Sequence, residues 1–199
     1  MAPVMTSEQS LEAGVGAHGE FGQDTMGVGS DLWLEANLLG AGSYEGWGAV
    51  QLVARGSATS LFPYSGAGAP LGDVLAEGTA GVRASYAVTP TFYLGGEILG
   101  GYEQRTGIKG EQTIVASLGM PVAEQATPDI WVYADPTIGL LARLDGDPCS
   151  HGIPFCGYTE VPLGVAWRIN PMVMVMAEGG LSLPVQPGGY GALALSLRF

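Results

Sequence analysis

The chain has 199 residues, 33 of them Gly and 13 Pro, with 7 basic against 19 acidic side chains and a formal net charge of −12. So few basic groups cannot form the phosphate-neutralising face that nucleic acid requires. A hydrophobic content of 47% excludes intrinsic disorder, and no apolar run approaches the roughly 18 to 20 residues of a membrane helix.

The length suits a single domain, residues 1–199, and no repeat of 20 to 50 residues or composition shift divides it. The charged fraction is only 13%, about half that of an ordinary soluble domain, although the mean hydropathy is positive. The amino end has no basic segment followed by an apolar stretch, so the chain reads as a mature form without its export signal. The informative period is two.

Residues 11 to 18 put Leu11, Ala13, Val15 and Ala17 on one face and Glu12 and His18 on the other, a strand pattern. A second run sets Leu32, Leu34, Ala36 and Leu38 against Asp31, Trp33, Glu35 and Asn37. The third, from Glu45, sets Val50, Leu52 and Ala54 against Glu45, Trp47, Gln51 and Arg55. In the fourth, Ala76, Ala80, Val82, Ala84 and Tyr86 oppose Glu77, Thr79, Arg83 and Ser85. After a turn at Thr89-Pro90, the fifth has Phe92, Leu94, Ile98 and Tyr102 opposite Tyr93, Glu97 and Glu103.

The sixth sets Ile114, Ala116, Leu118 and Met120 against Glu111, Thr113 and Ser117. The seventh sets Ile130, Val132, Ala134, Ile138 and Leu140 against Trp131, Tyr133, Asp135 and Arg143. Three more follow: Val161, Leu163, Val165, Trp167 and Ile169 against Tyr158, Glu160 and Arg168; Val173, Val175, Ala177, Leu181 and Leu183 against Glu178 and Ser182; and Leu193, Leu195, Leu197 and Phe199 against Tyr190, Ser196 and Arg198.

One face therefore carries sixteen charges, eleven acidic and five Arg, and the other none. A soluble sandwich would fill its apolar face with bulky groups, whereas this one mixes Leu and Val with Gly and Ala. A face that meets conforming lipid, with charge turned into a lumen, suits the pattern better. Runs of about ten to twelve residues match a tilted bilayer crossing. By alternation, the loops 19–29, 58–74, 104–110, 144–157 and 184–189 are mostly longer than the turns near 40–43, 89–90, 121–128 and 170, the asymmetry of outer-membrane barrels. Phe92, Tyr102, Trp167 and Phe199 sit at the ends of the apolar runs, as girdle aromatics do.

The closing segment, Tyr190-Gly-Ala-Leu-Ala-Leu-Ser-Leu-Arg-Phe199, resembles the last strand of bacterial outer-membrane β-barrel proteins, the small porin-like class. That resemblance implies location in the outer membrane and recognition of this strand by the barrel-assembly machinery. The fold expected is an all-β, antiparallel up-and-down barrel of about ten strands, with eight or twelve as alternatives.

Large inward groups at Trp33, Trp47, Tyr93, Trp131, Tyr133, Tyr158 and Tyr190 favour a filled lumen, while inward Gly14, Gly16, Gly81, Gly95, Gly101, Gly139 and Gly164 leave space for water. Hairpin arithmetic about Pro90 places Arg83 opposite Glu97 and Glu77 opposite Glu103. Glu160 and Glu178 approach across the Asn170-Pro171 turn with Arg143 at their level. The lumen-lining charges are thus Glu12, Glu35, Glu45, Arg55, Glu77, Arg83, Glu97, Glu103, Asp135, Arg143, Glu160, Arg168, Glu178 and Arg198, held in ion-pair networks. Met172, Met174 and Met176 share the inward phase.

Cys149 and Cys156, in a segment rich in Gly, Pro and Asp, suit a loop-closing disulfide; with His151 they offer three of the four ligands a stable metal site needs, so no metal is expected. No cofactor motif and no catalytic set are apparent, and an enzyme is not expected. The expected role is an anchor or envelope-complex subunit with a narrow or filled lumen, in contact with outer-membrane lipid and with an envelope partner through its loops. The alternative is a small cation-preferring pore, with an enzyme at the outer rim third.

Overall fold

The computed structural model describes residues 11–22, 25–39, 49–63, 73–106, 111–144, 155–183 and 188–199. Twelve strand segments make it up: β1 (Leu11–Phe21), β2 (Thr25–Leu39), β3 (Val50–Pro63), β4 (Asp73–Ala87), β5 (Phe92–Thr106), β6 (Glu111–Gly119), β7 (Val122–Thr127), β8 (Ile130–Ala134), β9 (Thr137–Arg143), β10 (Phe155–Asn170), β11 (Val173–Leu183) and β12 (Gly188–Arg198). No helix occurs among the described residues. Neighbours pair antiparallel, and β1 pairs with β12 as well as β2, so the sheet closes.

The twelve segments form ten staves. β6 and β7 both pair with β5, and β8 and β9 both pair with β10, so each couple is one stave with a break. The breaks fall at Met120-Pro121 and Asp135-Pro136, because proline has no N–H to give to a ladder. They lie side by side and are bridged: Met120 N donates to Pro136 O at 2.9 Å, and Gly95 N donates to Pro121 O at 2.7 Å. Residues 121–128, expected as a turn, are therefore mostly strand, and the chain reverses at Pro128-Asp129. This correction puts Glu124, opposite Phe92 and Val132, on the outer phase near the rim.

The other turns use local side-chain caps. Thr89 Oγ1 accepts from Phe92 N at 3.0 Å, and Asn170 Oδ1 accepts from Met172 N at 2.9 Å. Register shifts at Asn37/Leu39, Gln125/Thr127 and Arg168/Asn170 all lie near this end of the barrel, where bulges absorb curvature. The start of β1 and the end of β12 meet here, with Phe199 N donating to Leu11 O at 2.9 Å, so we call it the terminal end and the opposite rim the loop end.

At the loop end the strands run further than alternation suggests. β1 continues to Phe21 and β2 starts at Thr25, where a loop over 19–29 was expected, and the loops expected at 58–74, 104–110, 144–157 and 184–189 are shortened likewise. Backbone pairing does not stop where lipid stops; only the hydrophobic alternation does. Strands of up to 16 residues, as in β10, exceed the roughly 9 to 11 that cross a bilayer. The turn expected at 40–43 and the start of the third run at Glu45 lie outside the described residues, and β3 is described from Val50.

Around the outside stand Leu32, Ile98, Leu163, Leu193 and many other exposed large apolar side chains, Leu163 being 61% exposed. A continuous apolar outer face on a closed antiparallel barrel is the surface of a membrane-spanning barrel. Buried residues line the inside, including Glu12, Glu35, Arg83, Glu97, Asp135 and Arg198. Interior and exterior are inverted relative to a soluble protein.

Candidate functional site in the lumen

Three arrangements fill the lumen. In the first, Trp33, Ala123, Trp131, Tyr133, Ala166, Met174 and Met176 form a buried cluster, with Tyr93 and Ala194 against it. Arg168 lies over the Trp131 ring at 5.2 Å and donates to Asp129 Oδ1 at 3.1 Å, which clamps the β8 and β10 hairpin ends together. Met172, by contrast, is exposed in its turn and takes no part in the cluster. Beside it Arg198 Nε donates to Glu12 Oε2 at 2.7 Å across the β1–β12 seam, tying the first stave to the last.

The second is an ion network. Arg83 donates from Nε to Glu97 Oε2 at 2.8 Å and from Nη1 to Glu35 at 3.0 and 3.2 Å. Arg55 Nη2 donates to the same Glu97 oxygen at 2.7 Å, and Asp135 lies 3.9 and 4.0 Å from Arg55 and Arg83. Burial of these charges is tolerable because each guanidinium has carboxylates on its donors.

Above it, towards the loop end, a cavity of about 270 Å³ remains. Among its lining residues are His18, Glu20, Asp31, Arg55, Glu77, Glu160 and Glu178, the rings of Tyr133, Tyr158 and Tyr190, and the apolar side chains Leu75, Leu99 and Val115. Glu77 faces Glu103 directly across β4 and β5. Tyr190 donates to Glu178 Oε1 at 2.6 Å. Glu20, Glu77 and Glu160 have no ion pair among the described residues. Of the basic side chains lining the cavity, Arg55 is paired with Glu97, and His18 Nδ1 is 2.8 Å from Asp31 Oδ2 on the same wall.

His18 Nε2 is also 2.8 Å from Thr59 Oγ1. A hydroxyl, imidazole and carboxylate in line is how nucleophiles are activated, but a nucleophile needs an open approach. Thr59 is only 3% exposed, and its methyl group and the Glu20 side chain both lie over Gly27. The arrangement orients His18 inward, a partnership that alternation could not reveal because Thr59 is two staves away.

Aromatic rings are seated on glycine. Trp33 opposes Gly14, Tyr133 opposes Gly164, Tyr158 opposes Gly139 and Tyr190 opposes Gly180 on neighbouring staves, and in each case a Cβ on the glycine would collide with the ring. Gly14, Gly139 and Gly164 therefore hold rings where space for water was expected. Gly81 and Gly101 approach the backbone carbonyls of Ile98 and Gly78.

The sequence-derived lumen charges fall as follows. Glu12, Glu35, Arg83, Glu97, Asp135 and Arg198 are buried, and Arg55, Glu77, Glu103, Glu160, Glu178, Arg143 and Arg168 are partly buried. The pairs Arg83↔Glu97 and Glu77↔Glu103 stand in register. Glu160 and Glu178 do not: Glu160 opposes Ser182 and Thr137, Glu178 opposes Gly164, and Arg143 opposes Thr113 further towards the loop end. The partner of Glu160 on β11 is Ser182, so the two carboxylates are staggered along the lumen. Glu45, Trp47 and the side chain of Glu111 lie outside the described residues.

On the outer face, Trp167 and Phe199 are exposed near the terminal rim with Phe92 half-buried beside the Pro90 turn, and Tyr102 is exposed towards the loop end of β5. Cys156 is buried and is not a free thiol, while Cys149 and His151 lie outside the described residues. Among the described residues no three His, Cys, Asp or Glu groups gather to hold a metal ion.

No protein-family model and no curated protein matches the chain. Among solved structures it is similar to an outer membrane channel from Pseudomonas putida F1, at a TM-score of 0.59 and 8% identity, covering 100% of this chain and 97% of that one. It is also similar to the NanC porin, at a TM-score of 0.51 and 10% identity, covering 94% of this chain and 100% of that one. The chain has the fold of bacterial outer-membrane β-barrel proteins.

Proposed function

We propose that this is an integral outer-membrane barrel with its lumen closed in the terminal half, acting as an anchor or envelope-complex subunit whose loop-end vestibule and loops make the contacts. One observation supports this most. Glu12, Glu35, Gln51, Arg83, Asp135, Met174, Met176 and Ser196, drawn from staves all round the barrel, are each at most 2% exposed. A conducting pore must present its narrowest ring to water, and these groups are almost wholly screened from it. Short turns face the periplasm in such barrels, so the vestibule faces outward.

In this reading β12 presents the assembly signal through its terminal Phe199, and a Cys149–Cys156 bridge staples the loop before β10. Mass measurement before and after reduction checks the bridge. The decisive experiment is single-channel recording from purified, folded protein in a planar bilayer. The native chain is expected to be silent, and Arg83→Ser together with Glu97→Ser to give measurable steps. Steady steps from the native chain would overturn the closed-lumen reading.

A second reading, a cation-preferring pore, draws support from the acid excess of the vestibule. It requires the ion network to part. Replacing Glu77 and Glu103 by Gln should then lower cation selectivity.

A further inference from the structure

We infer that the vestibule is a binding site for an amphipathic organic amine, with its ammonium head among Glu20, Glu77 and Glu160 and its apolar body against the cavity wall. The inference rests on the closed, outward-facing lumen proposed above and names what that vestibule takes.

The charge calls for a cation. Glu20 on β1, Glu77 on β4 and Glu160 on β10 line one cavity. Of the cavity's own basic groups, Arg55 is paired with Glu97 and His18 with Asp31, leaving acids in excess of bases among the lining groups. Like charges in a confined, poorly solvated space repel strongly, so a diffusible counter-charge stabilises the site.

The geometry selects the kind of cation. The carboxylates stand on three separate staves around the wall, and among the described residues no cluster converges closely enough for a metal ion. A larger cation that reaches several walls fits better. Between the acids the wall is apolar or aromatic, with Leu75, Leu99, Val115 and Tyr158 among the lining groups. Aromatic faces attract ammonium groups, and apolar walls reward an alkyl or aryl body, which a hydrated inorganic ion would not use. At about 270 Å³ the cavity is near the small end of ligand sites.

The test is isothermal titration of the folded, detergent-solubilised full chain at low salt with 2-phenylethylamine, 2-phenylethanol and ammonium chloride. Saturable binding of the amine, at least about tenfold tighter than either the alcohol or ammonium, is expected. Binding by the alcohol as tight as by the amine would overturn the role of the carboxylates. Equal binding by ammonium would overturn the role of the wall. Glu77→Gln with Glu160→Gln should weaken the amine by at least about tenfold while the barrel keeps its heat-modifiable migration. Should the pair fail to fold, Ser57→Arg, which brings a fixed cation opposite Glu77 and Asp31, should compete with the amine instead; undiminished binding there would count against the site. Recording in the bilayer keeps the two claims apart. A native current that the amine blocks would retain the site and discard the closed lumen, whereas a silent barrel that binds no amine would retain the closed lumen and discard the site.

Discussion

Gly164 faces the lumen opposite Tyr133, and the tyrosine ring fills the space in which a side chain would stand. Replacing it by Ala should force the ring off its seat and destabilise the barrel by roughly 1 to 3 kcal/mol, the usual effect of overpacking. Gly100, with nothing near the position of an added Cβ, is the control, and Gly100→Ala should change stability little. Urea unfolding of both variants in detergent measures the difference; equal midpoints would show that the seat is not a constraint. Arg83 is the other decisive residue. Arg83→Ala leaves Glu35 and Glu97 buried without their main cation, a loss expected at roughly 3 to 5 kcal/mol. Adding Glu35→Gln and Glu97→Gln should recover part of it, and no recovery would argue that Arg83 acts through packing alone. The Arg83–Glu97 pair was readable because both residues lie on one hairpin about Pro90, where register follows from counting. Its partner Glu35 was not, since β3 separates β2 from β4 and the two meet only through side chains that reach past it inside the lumen.

At the scale of the strand, alternation identifies which face each residue takes but not where pairing ends. Period-two patterning reports the lipid boundary, and the strands pass beyond it because hydrogen bonds around the barrel continue in water. For the same reason β7 was hidden: Ala-Glu-Gln-Ala-Thr between Val122 and Pro128 shows no apolar alternation, yet it completes the stave that Pro121 interrupts. The face assignment has a direct check. Leu163→Arg, on the outer face in the middle of β10, should cost roughly 2 to 4 kcal/mol in a bilayer if it lies near the midplane. Ser57→Arg, on the cavity wall, should escape that penalty. Unfolding from lipid vesicles compares them, and equal stability would mean that the exposed apolar face does not meet lipid.

For the whole molecule, closure is the property on which the function depends. The β1–β12 seam, carrying the buried Glu12–Arg198 pair, removes the two sheet edges and makes an inside. Arg198→Ala should loosen that seam and is expected to lower the temperature at which the compact, heat-modifiable form is lost. An unchanged transition would show that backbone pairing alone holds the barrel shut.

The sequence by itself determined the fold class, the inward and outward faces and the strand number near ten, because sorting of charge from lipid acts on every second residue and needs no knowledge of neighbours. It also determined the pairs within one hairpin. Only the tertiary structure decided what the lumen does. Which carboxylates meet an arginine and which remain around an open cavity depends on the curvature and register of ten closed staves, which bring together residues far apart in the chain. The glycine seats depend on it too, since a ring and the glycine beneath it belong to different staves, and nothing in either stave alone records the other.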